Sequence, residues 1–138
     1  MRYLGIDFGI KRVGLALSDP GGKLAFPLRT VARTTRGELF AELLQTIAEN
    51  HVQAIVLGIP YGLDGQTTTS TRQALNFLES LRRRTTRPVF SIDESFSTSE
   101  AEDLLQETGK KTSSRDTVDH HAAAVILQRF LDESQSME

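Results

Sequence analysis

The chain has 138 residues, 38% hydrophobic and 25% charged, with a formal charge of −2 at pH 7 and no cysteine. That length suits one domain with a core of its own, and the weak net charge excludes a polyanion-coating protein, so any contact with nucleic acid has to come from local basic patches. A disulfide framework and a thiolate zinc site are excluded by composition.

In chain order, "RYLGIDF" and "RVGLALSD" are short apolar runs separated by "GIKR", and "KLAFPLRTV" follows the turn Asp19-Pro20-Gly21-Gly22. They predict a three-stranded antiparallel meander. In the second run Val13, Leu15 and Leu17 share one face, while Gly14, Ala16 and Ser18 leave the other unusually small. "GELFAELLQTIAEN" carries Leu39, Leu43, Leu44 and Ile47 at helical spacing, and "QAIVLGIP" is a continuous apolar run of the kind buried on both faces of a sheet. Leu75, Leu78 and Leu81 mark a second helix ending in "RRR", and "PVFSIDES" is the next strand. Two helices, "STSEAEDLLQE" and "TVDHHAAAVILQRFLDE", follow. The order βββαβαβαα predicts an α/β fold, a mixed five-stranded sheet with three antiparallel and then parallel strands and helices on both faces. Two polar segments, "YGLDGQTTTSTR" and "ETGKKTSSRD", are expected to be mobile loops. A single domain is expected over residues 1–132, with a flexible tail over 133–138. The first strand starts almost at once without an apolar leader region, and no apolar run approaches the roughly 18 residues needed to span a bilayer, so a cytoplasmic location is expected.

Three carboxylates stand out. Asp7 ends the first strand, alternating with Tyr3 and Gly5 and opposite Leu4, Ile6 and Phe8. A strand-end aspartate also serves to bond turn amides, but in a sheet covered on both faces an unpaired carboxylate costs several kcal/mol. Asp119, near the start of the last helix, favours the helix dipole; Ala123, Ile126 and Phe130 fall within about 40° of it, so it heads the stripe that faces the core. Asp93 and Glu94 end the fifth strand and point to opposite faces, so only one of them can share a site with Asp7, and periodicity does not say which. Acidic groups from three elements would meet at the sheet edge where α/β folds place their sites. Two carboxylates about 4 Å apart repel by about 4 kcal/mol at an effective dielectric of 20, so such a cluster needs protons, basic partners or a metal. Oxygen-only ligands favour Mg2+ or Mn2+ over zinc.

Other features have simpler explanations. Ser97-x-x-Glu100 fits a capping box. Adjacent His120 and His121 diverge by about 100° on a helix and cannot form a one-face metal pair, leaving His120 at most a supporting role. "GKKTS" lacks the first glycine of a phosphate-binding loop, since Leu104 stands in its place. The arginines 82–84 suit a helix C-terminus.

"GIDFGIKRVGLALSD" resembles the D-x-G-x-K-R-x-G-x-A-x-S-D opening of the YqgF family, also called RuvX, of Holliday junction resolvases in the ribonuclease H-like superfamily. "GIPYGLDG", "DESFST" and "VDHHAAAVILQ" are similar to its G-x-P-x-x-x-x-G, D-E-R-x-[ST]-T and [IV]-D-x-x-A-A-x-x-I-L-Q segments, in the same order and over nearly the whole chain. The resemblance implies a ribonuclease H-like fold and a metal-dependent endonuclease site in which Asp7, Glu94 and Asp119 hold Mg2+ or Mn2+. Ser95 stands where the family usually has arginine. Two ions about 3.5–4 Å apart activate a water and stabilise the leaving oxygen in this chemistry. Gly5, Gly14 and Ala16 are expected to leave room for the phosphate. Lys11, Arg12, Arg72, Lys110, Lys111 and Arg115 are candidates for holding the nucleic-acid backbone, and the threonine-rich loop 67–71 is a candidate to close over it. The resemblance implies branched DNA or the precursor of small-subunit ribosomal RNA as partner, with a homodimer expected for a two-fold DNA junction. A catalytically silent scaffold for RNA or transcription proteins is the alternative. An actin-like nucleotide-binding protein shares the D-x-G strand, but no second D-x-G follows and 138 residues leave little room for a second lobe.

Overall fold

The computed structural model describes residues 1–94 and 115–136, with side chains over 1–94 and 120–134. Strands β1 (Tyr3–Phe8), β2 (Arg12–Ser18) and β3 (Ala25–Ala32) precede helix α1 (Arg36–Glu49). Strand β4 (Ala54–Ile59), helix α2 (Thr69–Arg84), strand β5 (Val89–Asp93) and helix α3 (Arg115–Ser136) follow. The sheet order is β3-β2-β1-β4-β5, antiparallel through β3, β2 and β1 and parallel through β1, β4 and β5. This is the mixed sheet expected from the sequence.

Alternation decides which residues meet which helices. Leu4, Ile6, Val13, Leu15, Ile55 and Leu57 turn to one face and pack with Leu43, Phe77 and Leu81 of α1 and α2. Ala16 and Val56 turn to the other, where Ala123, Ile126, Leu127 and Leu131 of α3 cover them. Strand β4 is buried at every position, which is why its sequence runs apolar without alternation. Phe8, at the end of β1, stacks on Phe77 with ring centroids 4.2 Å apart.

The small face of β2 and β1 has a different purpose from the one expected. A Cβ added at Gly5 would stand 2.7 Å from Leu127 Cβ and 3.1 Å from Ala123 O, and Ala16 is fully buried under the same helix. Gly5 and Ala16 therefore seat α3 on the sheet and leave no room there for a phosphate.

The threonine-rich segment is a loop only in part. Helix α2 begins at Thr69, and Thr68 and Thr71 cap it reciprocally: the Thr68 hydroxyl accepts from Thr71 N at 3.2 Å and the Thr71 hydroxyl accepts from Thr68 N at 3.0 Å. Thr71 is fully buried and donates to Pro60 O, which ties the helix start to the end of β4. The first helical turns take up residues 69–72, so of the expected closing loop 67–71 only Thr67 and Thr68 lie outside the helix. At the far end of the chain α3 continues through Ser136, so residues 133–136, assigned to a tail by composition, are helical. The expected helix "STSEAEDLLQE", with its Ser97–Glu100 capping box, lies outside the described residues, as do Ser95 and most of the "ETGKKTSSRD" segment. Among the described residues no helix is long and apolar enough to cross a membrane.

Candidate active site

Asp7 lies at the C-terminal end of the central strand, half-buried, paired in register with Gly14 of β2 on one side and Gly58 of β4 on the other. No side chain on either neighbouring strand competes with it at that level. Immediately beyond it the chain turns sharply: Gly9 N donates to Arg12 O at 2.9 Å, and a Cβ on Gly9 would fall 2.5 Å from that oxygen. Glycine is required here by close approach of the backbone.

Glu94 reaches Asp7 from β5. Its N–H donates to Ile59 O at 3.1 Å, so the β4–β5 pairing extends one residue past the strand and turns the Glu94 side chain to the α3 face, where Tyr3, Gly5 and Asp7 also point. Glu94 is 6% exposed and hydrogen-bonded to Asp7, whereas Asp93 is exposed. The structure thus resolves the choice left open by periodicity: Glu94 shares the site.

The electrostatics follow from this crowding. Burial pushes the Asp7 carboxyl above its ordinary range, and its hydrogen bond with Glu94 pulls the other way. Glu94 is pushed up to about 9, chiefly by burial, then by the Asp7 charge and hydrogen bond, with Asp93 adding to it. At neutral pH the pair retains a proton, and a cation placed between the oxygens would displace it.

Helix α3 brings the third candidate to the same end. It runs antiparallel to β1: Phe130 packs on Tyr3 with centroids 5.8 Å apart, and Leu127 and Ala123 cover Gly5. One turn further toward its N-terminus comes Asp119, whose side chain is outside the described residues. Its neighbour His120 locates that turn. His120 Nδ1 is 2.9 Å from Thr30 Oγ1, and Thr30 pairs with Gly14, which pairs with Asp7. The backbone of Asp119 is therefore at the level of the Asp7 row. Among the described residues no group of three His, Cys, Asp or Glu side chains is assembled.

The basic candidates divide in the same way. Lys11, exposed, ends the β1–β2 connection, and Arg12, half-buried, opens β2, both at the sheet edge that carries Asp7. Arg72 is exposed on the first turns of α2, at the same sheet edge because Thr71 is bonded to Pro60. Lys110 and Lys111, and the side chain of Arg115, lie outside the described residues. Arg33 was not among the sequence candidates. Its Nη1 donates to Gly9 O at 2.8 Å and Ile10 O at 3.0 Å, and its guanidinium lies 4.3 Å above the Phe8 ring, so it braces the turn behind Asp7. This contact crosses from the end of β3 to the β1–β2 turn and leaves no local signal in the sequence.

Solved structures share this arrangement of strands and helices. RuvC from Thermus thermophilus in complex with a Holliday junction substrate superposes with a TM-score of 0.61, covering 98% of this chain and 96% of that one at 17% identity. The fowlpox virus resolvase bound to Holliday junction DNA gives 0.63 over 97% and 99% at 11% identity. At these identities the likeness is one of fold, the ribonuclease H-like fold. Sequence relatives are much nearer. A protein of Nitratidesulfovibrio vulgaris named "Putative pre-16S rRNA nuclease" is 49% identical over 99% of this chain and 96% of its own, and one of the same name from Anaeromyxobacter sp. is 45% identical over 96% and 97%. The family model described as "RuvX: Holliday junction resolvase" matches residues 1–133. With relatives at that identity and a family match over nearly its whole length, this chain belongs to the RuvX family.

Proposed function

We propose that the protein is a metal-dependent endonuclease that hydrolyses phosphodiester bonds in structured nucleic acid, with Asp7, Glu94 and Asp119 as its metal-holding carboxylates. The Asp7–Glu94 pair carries the reading. Two carboxyl groups from different strands share a hydrogen bond at the sheet edge, and burial with mutual repulsion holds a proton on them. Such a pair suits a hard dication, and its oxygen-only donors favour Mg2+ or Mn2+. When bound, such ions supply an activated water and stabilise the leaving oxygen. Asp7, on the central strand between two glycines, would hold the ion together with Glu94 at the end of β5 and Asp119 on α3. His120, held by Thr30, is a positioning residue for the turn of α3 that carries Asp119. Lys11, Arg12 and Arg72, with Lys110, Lys111 and Arg115, hold the substrate backbone without reading its sequence.

The substrate we assign is the precursor of small-subunit ribosomal RNA. Relatives at 49% and 45% identity carry that substrate in their names, whereas the structures holding junction DNA are at 17% identity and 11% identity. A four-way DNA junction is the competing substrate and would call for a homodimer, because a two-fold enzyme matches a two-fold substrate.

The test offers purified protein labelled precursor ribosomal RNA, four-way junctions and single-stranded DNA in Mn2+, Mg2+ or chelator, beside Asp7→Asn. Expected is ion-dependent cutting of the precursor that the variant lacks. Preferential cutting of the junction moves the substrate to DNA. Binding without cutting of any of the three in either metal leaves a nucleic-acid scaffold in place of an enzyme.

A further inference from the structure

At the opposite end of the sheet from Asp7 lies an open cleft of about 770 Å3, between the C-terminal ends of α1 and α2 and the segments leading into β1, β4 and β5. From Tyr3 to Asp7 the strand spans roughly 13 Å, so this cleft is separate from the carboxylates. Its charge is one-sided. Arg2, Arg84, Arg87 and His51 line it, with no Asp or Glu among the lining residues. Among the described residues none of these three arginines makes an ion pair.

Helix dipoles explain part of this. Arg84 Nη1 donates to Ser80 O at 3.0 Å in the last turn of α2, and Arg2 Nη1 donates to Asn50 O at 3.2 Å at the end of α1. They do not explain Arg87, which lies beyond the helix, is exposed, and has no side-chain hydrogen bond among the described residues. Nor do they use all the donors. The buried Nε of Arg2 has no hydrogen-bond partner among the described residues, and the Arg84 guanidinium carbon lies 4.2 Å from the centre of the Phe40 ring. The rest of the lining is mixed: Leu44, Ile47 and Ala48 form an apolar wall, and Thr85 and Thr86 add hydroxyls. A duplex shows a protein its phosphates and hides its base faces. An unpaired strand shows both, and a cleft that joins guanidinium groups without acidic partners to an apolar wall fits the unpaired strand.

We propose that this cleft binds an unpaired stretch of the RNA substrate that flanks the cleavage point, its phosphates on Arg84 and Arg87 and its bases against the apolar wall. The inference rests on the nuclease reading and adds to it a second contact, remote from the cut, by which the protein prefers RNA with a single-stranded flank.

The experiment measures anisotropy of a labelled single-stranded RNA in chelator across a salt series, for wild type, Arg87→Gln and Arg84→Gln/Arg87→Gln, each checked by thermal melting. Each lost phosphate contact lowers the log–log salt slope by about 0.7, so the expected losses are about 0.7 and about 1.4. In cleavage, KM for a precursor with its flank rises while kcat holds, and a substrate trimmed to the cleavage point responds to neither variant. A slope unchanged in both variants, while the wild type binds and cuts RNA, overturns the cleft and leaves the nuclease reading intact. Failure of the wild type to bind RNA at all overturns the cleft together with the assignment of ribosomal RNA as substrate, and leaves junction DNA as the substrate of the nuclease. An equal slope loss on duplex RNA overturns the assignment to an unpaired strand. Because Arg84 also packs on Phe40, Arg87→Gln alone decides the matter if the double variant melts early.

Discussion

Gly58→Ala adds one methyl group beside the carboxylate pair. Its Cβ would stand 2.8 Å from Ile126 Cδ1, 2.9 Å from Glu94 Oε2 and 3.2 Å from Glu94 Cβ. Carbon atoms in contact prefer roughly 3.5–4.0 Å, so both neighbours have to retreat by several tenths of an ångström or more. Neither has free space. Ile126 is fully buried between α3 and the sheet, and Glu94, 6% exposed, is hydrogen-bonded to Asp7. Forcing a methyl into a packed interior costs about 1–3 kcal/mol. At roughly 4 °C per kcal/mol for a chain of this size, the melting temperature should fall by about 4–12 °C. The motion that relieves the clash carries Glu94 away from Asp7, and displacement of a catalytic group by about 1 Å costs up to about 100-fold in rate. Melting followed by circular dichroism in chelator, with single-turnover cleavage in Mn2+, measures both effects. A variant that melts with the wild type and cuts at the wild-type rate would refute the packing of Glu94 against Gly58 and its need to stay beside Asp7.

Two further predictions concern the same sheet edge. Glu94 keeps its proton to about 9 in the folded protein but loses it above the ordinary value of 4.5 when unfolded. The stability this group confers in chelator is therefore fully present below 4.5 and declines as pH rises toward 9. Glu94→Gln, neutral at every pH, should melt progressively higher than the wild type between about pH 5 and 8; a constant difference would contradict the raised value. Thr71→Val keeps the shape but removes the hydroxyl that accepts from Thr68 N and donates to Pro60 O. It should cost about 1–3 kcal/mol and speed amide exchange at Thr68; unchanged exchange would mean that the cap does not hold the start of α2.

Much of this architecture was legible because burial imposes periodicity. The alternation of β2 and the uninterrupted apolar run of β4 follow directly from a sheet covered on both sides, and Asp7 stood out because it broke such a pattern. The choice between Asp93 and Glu94 was not legible from alternation, since it depends on how far β5 pairs along β4, which the bond from Glu94 N to Ile59 O decides. Residues 67–71 looked like a loop because their cap is a reciprocal threonine pair anchored to Pro60, a contact made in space and absent from local composition. Gly5 and Ala16 suggest space for a phosphate by their size, but a helix fills that space. Small residues announce close approach without naming what approaches.

The most direct test of the carboxylate site is calorimetric titration of Mn2+ at pH 7 in two buffers of different ionisation enthalpy, for wild type, Asp7→Asn and Glu94→Gln. Because the Asp7–Glu94 pair retains a proton that a bound dication has to displace, the wild type should bind Mn2+ and release about one proton, Glu94→Gln should lose that release, and Asp7→Asn should lose binding. Undiminished binding by Asp7→Asn, or wild-type binding with no proton released, would contradict the assignment of these two carboxylates to the metal.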